Sequence, residues 1–160
     1  MLLRDWIAPM LGIVGGILVL LSVFAPWYPA SGRFTFSCIT LLMKRSGGPL
    51  MFHIFLLFFG GFILLFGGIL ARFLSRKDMG NIFFIGSVIG IIGVALTLWY
   101  LKGGFTLSNP APGLYMFFSS PVGWWRLLTD LSYGFYMAIA GVLAGISGFF
   151  LSTSWRERKD

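Results

Sequence analysis

Residues 50–70 read LMFHIFLLFFGGFILLFGGIL, a run of 21 residues without a single Lys, Arg, Asp or Glu. At about 1.5 Å per residue a helix of this length reaches roughly 30 Å, the depth of a bilayer's hydrocarbon layer. Three other runs have the same character: Trp6 to Phe24, closed by Ala25-Pro26, then Ile82 to Leu101, and Leu131 to Leu151. Composition agrees, since 58% of the 160 residues are apolar, 11% are charged and the mean hydropathy is +0.90. A soluble domain carries about twice that share of charge. The expected fold is all-α and membrane-embedded, a four-transmembrane-helix bundle forming one domain over residues 1–160. The helices are expected at about 6–25, 50–71, 81–101 and 131–152, with outer loops at 26–49 and 102–130. Run one is too long for the apolar core of a signal peptide, and no A-x-A site follows it, so it is expected to be retained.

Charge sets the expected orientation. The segment Ala71-Arg72-Phe73-Leu74-Ser75-Arg76-Lys77-Asp78 is short and basic, and Arg156, Arg158 and Lys159 fall on the same side of the membrane after the fourth run. Basic residues near span ends favour the cytoplasm, so both termini are expected there in a multi-pass protein of the cell membrane. Seven Lys and Arg on that side against five on the other (Arg33, Lys44, Arg45, Lys102, Arg126) is a small bias, and the loop lengths add to it. The net charge of +7 is spread over segment ends rather than a stripe, which fits topology and lipid contact rather than nucleic acid. A lone cysteine, Cys38, excludes an internal disulfide, a CxxC redox centre and a thiolate metal site.

The two outer loops share a pattern. Trp27-Tyr28 is followed by Phe34-Thr35-Phe36-Ser37, and Trp99-Tyr100 by Phe105-Thr106-Leu107-Ser108. Aromatic and β-branched alternation over Phe34 to Thr40 reads as a strand. If the recurrence is a parallel half-repeat, each loop supplies a strand to one small extracellular β-sheet. Trp27, Tyr28, Trp99, Tyr100, Trp124 and Trp125 favour the headgroup level, where a ring is half in hydrocarbon and its polar tip is wet. With Phe34 and Phe36 they are also the candidate loop contacts for a partner chain.

Glycine is the second signal, with 22 residues in the chain. Gly12 and Gly16 stand at GxxxG spacing, as do Gly86 and Gly90, while Gly134, Gly141, Gly145 and Gly148 line one stripe of the fourth run. Lipid gives helices little hydrophobic reason to join, so close backbone approach must do it. These stripes are candidates for packing inside the bundle or for self-association. Phe52, Phe55, Phe58, Phe59, Phe62 and Phe66 on the second run are expected to face lipid or a neighbour.

No charged residue lies within the four spans, and charge there is the usual mark of an ion path or proton relay. His53, the one histidine, has no acid or cysteine cluster around it in sequence and reads as a polar cap or interface residue. Asp130 is expected to cap the fourth helix, favoured by its N-terminal dipole. No nucleophile elbow or phosphate-binding glycine loop is present. No catalytic, cofactor or metal residues are expected, nor a small-molecule substrate.

The order helix, strand-bearing outer loop, helix, short inner turn, helix, outer loop, helix resembles the claudin-like tetraspan superfamily. The Trp27 exit, the Phe34 to Thr40 segment and the Phe105 to Ser108 segment carry the likeness over most of the chain. It is a likeness of layout. The Gly-Leu-Trp of claudins is absent and Cys38 stands alone, so no loop disulfide is implied. The expected role is a non-enzymatic structural or accessory subunit, or a laterally self-assembling tetraspan. Its partners would be membrane lipids and other membrane chains or copies of itself. The alternative is a channel or transporter subunit with its path between protomers.

Overall fold

The structure, a computed structural model, describes residues 4–29, 35–37, 51–101 and 131–153. Helix α1 covers Arg4–Phe24, α2 Met51–Ile69, α3 Arg76–Leu101 and α4 Tyr133–Thr153. Each of the four is long and apolar enough to cross a membrane. Pro9 lies within the second turn of α1, near its start, where the missing N–H removes only an early backbone bond. A single 3-10 turn, Leu70–Arg72, ends the α2 segment, and Phe73 donates its N–H to the Leu70 carbonyl at 2.8 Å.

The short connection that follows forces α2 and α3 to lie antiparallel side by side. Each helix packs against two others, α1 on α2 and α4, and α3 on α2 and α4, so the four form a closed ring. One end carries the α2–α3 turn and is called the turn end here. The other carries a two-stranded ribbon and is the ribbon end.

Helix α3 begins five residues before the expected position 81, at Arg76. Ser75 accounts for the difference. Its Oγ accepts from the Asp78 N–H at 3.2 Å and donates to the Asp78 carboxylate at 2.5 Å, while the Met79 N–H donates to the Ser75 carbonyl at 2.9 Å. This cap satisfies the orphan Asp78 N–H and lets polar residues form the first turn. Helix α4 begins at Tyr133 rather than 131, and the expected cap Asp130 lies outside the described residues.

Glycine builds all four helix contacts. At α1–α4, a methyl on Gly15 would stand 2.6 Å from the Gly141 carbonyl oxygen, and one on Gly141 would stand 2.5 Å from that of Gly15. At α1–α2, Gly16 faces the Leu65 nitrogen and the Gly61 carbonyl, at 2.5 and 2.7 Å on the same measure. At α2–α3, Gly60 faces the Gly90 nitrogen at 2.8 Å and the Gly86 carbonyl at 2.9 Å. At α3–α4, Gly80 faces the Ser152 hydroxyl at 2.5 Å. Backbones this close gain dispersion over many atom pairs, each worth about 0.1–0.2 kcal/mol, which lipid contact would not exceed if the surfaces were rough.

Two large side chains fill the axis. Phe83 is fully buried, and its ring lies against Gly12 of α1, Gly67 of α2 and Gly148 of α4. Leu64, also fully buried, lies against Gly86 of α3 and Gly145 of α4. Leu57, Val19 and Val23 continue the core toward the ribbon end.

The ribbon pairs β1, Pro26–Pro29, with β2, Thr35–Ser37, antiparallel, with Tyr28 opposite Phe36 and an irregular step between Pro26 and Tyr28. Of the expected strand at 34–40, residues 35–37 are described and form β2, whose partner comes from the same loop. The Phe105 to Ser108 segment lies outside the described residues.

Candidate functional site

Three surfaces could carry function: the ribbon end, the turn end and the outward helix faces. At the ribbon end, α1 stops at Phe24 and the chain reverses into β1. That reversal aims the Trp27 ring back over the helix end. Its Nε1–H donates to the Ser22 carbonyl at 2.7 Å, satisfying one of the last carbonyls that a helix cannot bond itself. The ring meets Phe135 edge to face, with centroids 6.0 Å apart. Gly134 admits this arrangement, since a methyl there would stand 2.8 Å from the Ala25 and Pro26 carbonyls and from Trp27 Cδ1. The Ser132 N–H closes the latch on the Trp27 carbonyl at 2.9 Å.

Trp27 is 1% exposed, its ring packed into the fold. A ring half in water needs its N–H outward, and here the N–H points into the fold. His53, in the first turn of α2, is also buried.

The other loop aromatics divide by what is described. Tyr28 and Phe36 face each other in the ribbon register, and Trp99 and Tyr100 lie in the last turn of α3, with the four side chains outside the described set. Phe34, Trp124 and Trp125 lie outside the described residues, as do Cys38, Lys102 and Arg126.

The eight candidate glycines, Gly12, Gly16, Gly86, Gly90, Gly134, Gly141, Gly145 and Gly148, are all buried within the chain, seven against other helices and Gly134 against the Ala25 to Trp27 reversal. Within the bundle they let the backbones approach, and most of the outward surface is made of large apolar side chains. Gly15 belongs with them and was missed. Its signal was the doublet Gly15-Gly16, which serves two interfaces because adjacent helix positions point about 100° apart.

The polar side chains of the spans are mostly bonded to their own helix. Ser22 donates to the Val19 carbonyl at 2.6 Å, Thr97 to Gly93 at 2.7 Å and Ser147 to Leu143 at 2.8 Å. Ser87 differs: its hydroxyl is buried against Gly145 with no hydrogen-bond partner among the described residues.

The outward face of α2 is aromatic. Phe52, Phe55, Phe59, Phe62 and Phe66 are exposed, and Phe58, Phe62 and Phe66 stack in sequence with centroids 6.2 and 5.9 Å apart. Phe58 turns inward and takes the edge of Phe24 at 6.0 Å. Large exposed apolar side chains also cover α1, α3 and α4, which suits an acyl-chain surround and would be costly in water.

At the turn end, the Arg72 guanidinium lies over the Trp6 ring, 4.9 Å from its centroid. Arg72, Arg76 and Lys77 are all exposed, and Phe73 between them is 86% exposed. Among the described residues no three His, Cys, Asp or Glu side chains gather in a way that could hold a metal ion. The chain matches no family model, no curated protein and no solved structure. Its fold is that of four membrane-length apolar helices in a glycine-packed bundle, consistent with a multi-pass membrane protein.

Proposed function

We propose that this chain is a non-enzymatic protein of the cell membrane that acts as a structural or accessory subunit through lateral contacts. Its partners are other membrane chains or copies of itself, met through the outward apolar faces and the aromatic outer loops. One observation carries the reading: the glycines of all four helices face inward, while most outward residues are large and apolar. Such a bundle holds itself together without a partner and offers the bilayer a broad, irregular aromatic surface. The hydroxyls of Ser22, Thr97 and Ser147, spent on their own helices, add support, since they offer little to a solute.

Both termini lie in the cytoplasm on this reading. Its support is the basic turn Arg72 to Lys77 at one end, and the sequence Arg156-Glu157-Arg158-Lys159, which follows α4 from that end. The claudin-like layout belongs to the same reading, supported by the β1–β2 pair that directly follows α1. A second reading, a channel or transporter subunit, needs its path between protomers, because Phe83, Leu64 and Leu57 fill the axis of the single chain.

The test is mild detergent extraction, native mass measurement and peptide identification of co-purifying chains. A stoichiometric larger chain or a closed homo-oligomer is expected. A monodisperse monomer that binds nothing would overturn the proposal. Solute flux through the reconstituted homo-oligomer would favour the second reading.

A further inference from the structure

We propose that the α2–α3 turn is a binding surface for anionic phospholipid headgroups. The inference rests on the membrane reading and goes beyond it by naming the lipid class and the residues. Within six residues the turn presents Arg72, Arg76 and Lys77, all exposed. Among the described side chains the one acid nearby, Asp78, is held by Ser75 in the first turn of α3, where the helix dipole offsets its charge.

Geometry makes this more than a charged loop. Arg72 is parked over the face of Trp6, which limits the side chain's freedom while leaving the guanidinium edge available. A guanidinium edge matches two oxygens of one phosphate. Trp6 is half-exposed at the start of α1, and an indole favours the headgroup level. Phe73, 86% exposed, is the most exposed large apolar side chain described. Placed between cations at a span end, it can enter the acyl boundary while its neighbours meet phosphate. A soluble anion or an acidic peptide would satisfy the cations and leave Phe73 and Trp6 in water. A lipid satisfies all of them.

The experiment uses the full chain, purified in mild detergent and offered mixed phosphatidylglycerol and phosphatidylcholine, with bound lipid counted by native mass measurement. The comparison is the triple variant Arg72→Gln, Arg76→Gln, Lys77→Gln. Each basic residue near an anionic surface contributes about fivefold in affinity, so the triple variant is expected to lose roughly a hundredfold in phosphatidylglycerol preference. Trp6→Leu keeps the apolar bulk and removes the ring, and is expected to lose part of that preference. Matching far-UV circular dichroism and detergent-unfolding midpoints establish that the variants fold. Equal retention of both lipids by the wild type, or unchanged preference in the folded triple variant, would overturn the proposal. Displacement of the lipid by millimolar inorganic phosphate would do so as well, since it would mark a site for the free ion. Loss of the wild-type chain from carbonate-washed membranes would instead overturn the membrane reading itself.

Discussion

Gly141→Ala and Gly90→Ala add the same methyl group to glycines of two packed helices, yet the structure assigns them different outcomes. At Gly141 the methyl would meet the Gly15 carbonyl oxygen at 2.5 Å and the Val19 nitrogen at 3.0 Å. Both are backbone atoms of α1 and cannot rotate away. Restoring an ordinary contact of 3.4 Å requires α1 and α4 to part locally. The opening is about 0.9 Å, and a gap of that size forfeits roughly a quarter to a half of the dispersion energy of the affected atom pairs. At Gly90 the methyl would meet only Val142 Cγ2, at 2.9 Å, the tip of a side chain that can turn or shift. Any gain in helix propensity is common to both variants and cancels in their comparison. Gly141→Ala should therefore be less stable than Gly90→Ala by about 1–3 kcal/mol, the usual range for overpacking. The assay is unfolding of the micelle-bound protein by rising SDS fraction, followed by tryptophan fluorescence and circular dichroism. Equal midpoints for the two variants would refute the reasoning. So would a Gly141→Ala variant that changes oligomer mass and leaves the midpoint alone, because Gly141 would then face another chain.

Other expectations follow from single contacts. Ser87→Ala removes a buried hydroxyl that has no partner among the described residues, and should be neutral or raise the unfolding midpoint, by up to about 1–3 kcal/mol. Trp27→Phe keeps most of the ring and deletes the N–H that reaches the Ser22 carbonyl, so a loss of about 1 kcal/mol is expected in the same assay. Ser75→Ala removes both side-chain bonds of the α3 cap and should cost about 0.5–2 kcal/mol, with amide exchange rising first at Asp78 and Met79.

The spans were legible because length and hydropathy are sums over twenty residues, and no single residue can reverse them. Their ends were less so. Hydropathy placed α3 at 81, but Ser75 and Asp78 had already paid for a polar first turn with side-chain bonds. The pair reads Ser-x-x-Asp, one methylene short of the usual Glu, and was passed over. The burial of Trp27 is not legible for a related reason: a preference for the headgroup level is an average over many tryptophans. A chain reversal directly after α1, with Gly134 to make room, is what tucks this ring into the fold. The glycine stripes were visible, but spacing says only that a face is smooth and not which helix lies on it. Gly15 and Gly16 show this, being adjacent in sequence and serving α4 and α2 respectively. Ser22, Thr97 and Ser87 look alike in sequence as well. Only the packed bundle separates two self-bonded hydroxyls from one set against Gly145.

The central claim is a chain that crosses the membrane four times with its α2–α3 turn in the cytoplasm. It is tested most directly by single cysteines placed in a Cys38→Ser background. Lys77→Cys at the turn end and Tyr133→Cys at the ribbon end are both exposed positions. Intact cells are treated with a membrane-impermeant maleimide, before and after permeabilisation. The account predicts labelling of Tyr133→Cys in intact cells, and labelling of Lys77→Cys only once the membrane is opened. Labelling of both from the same side would contradict it.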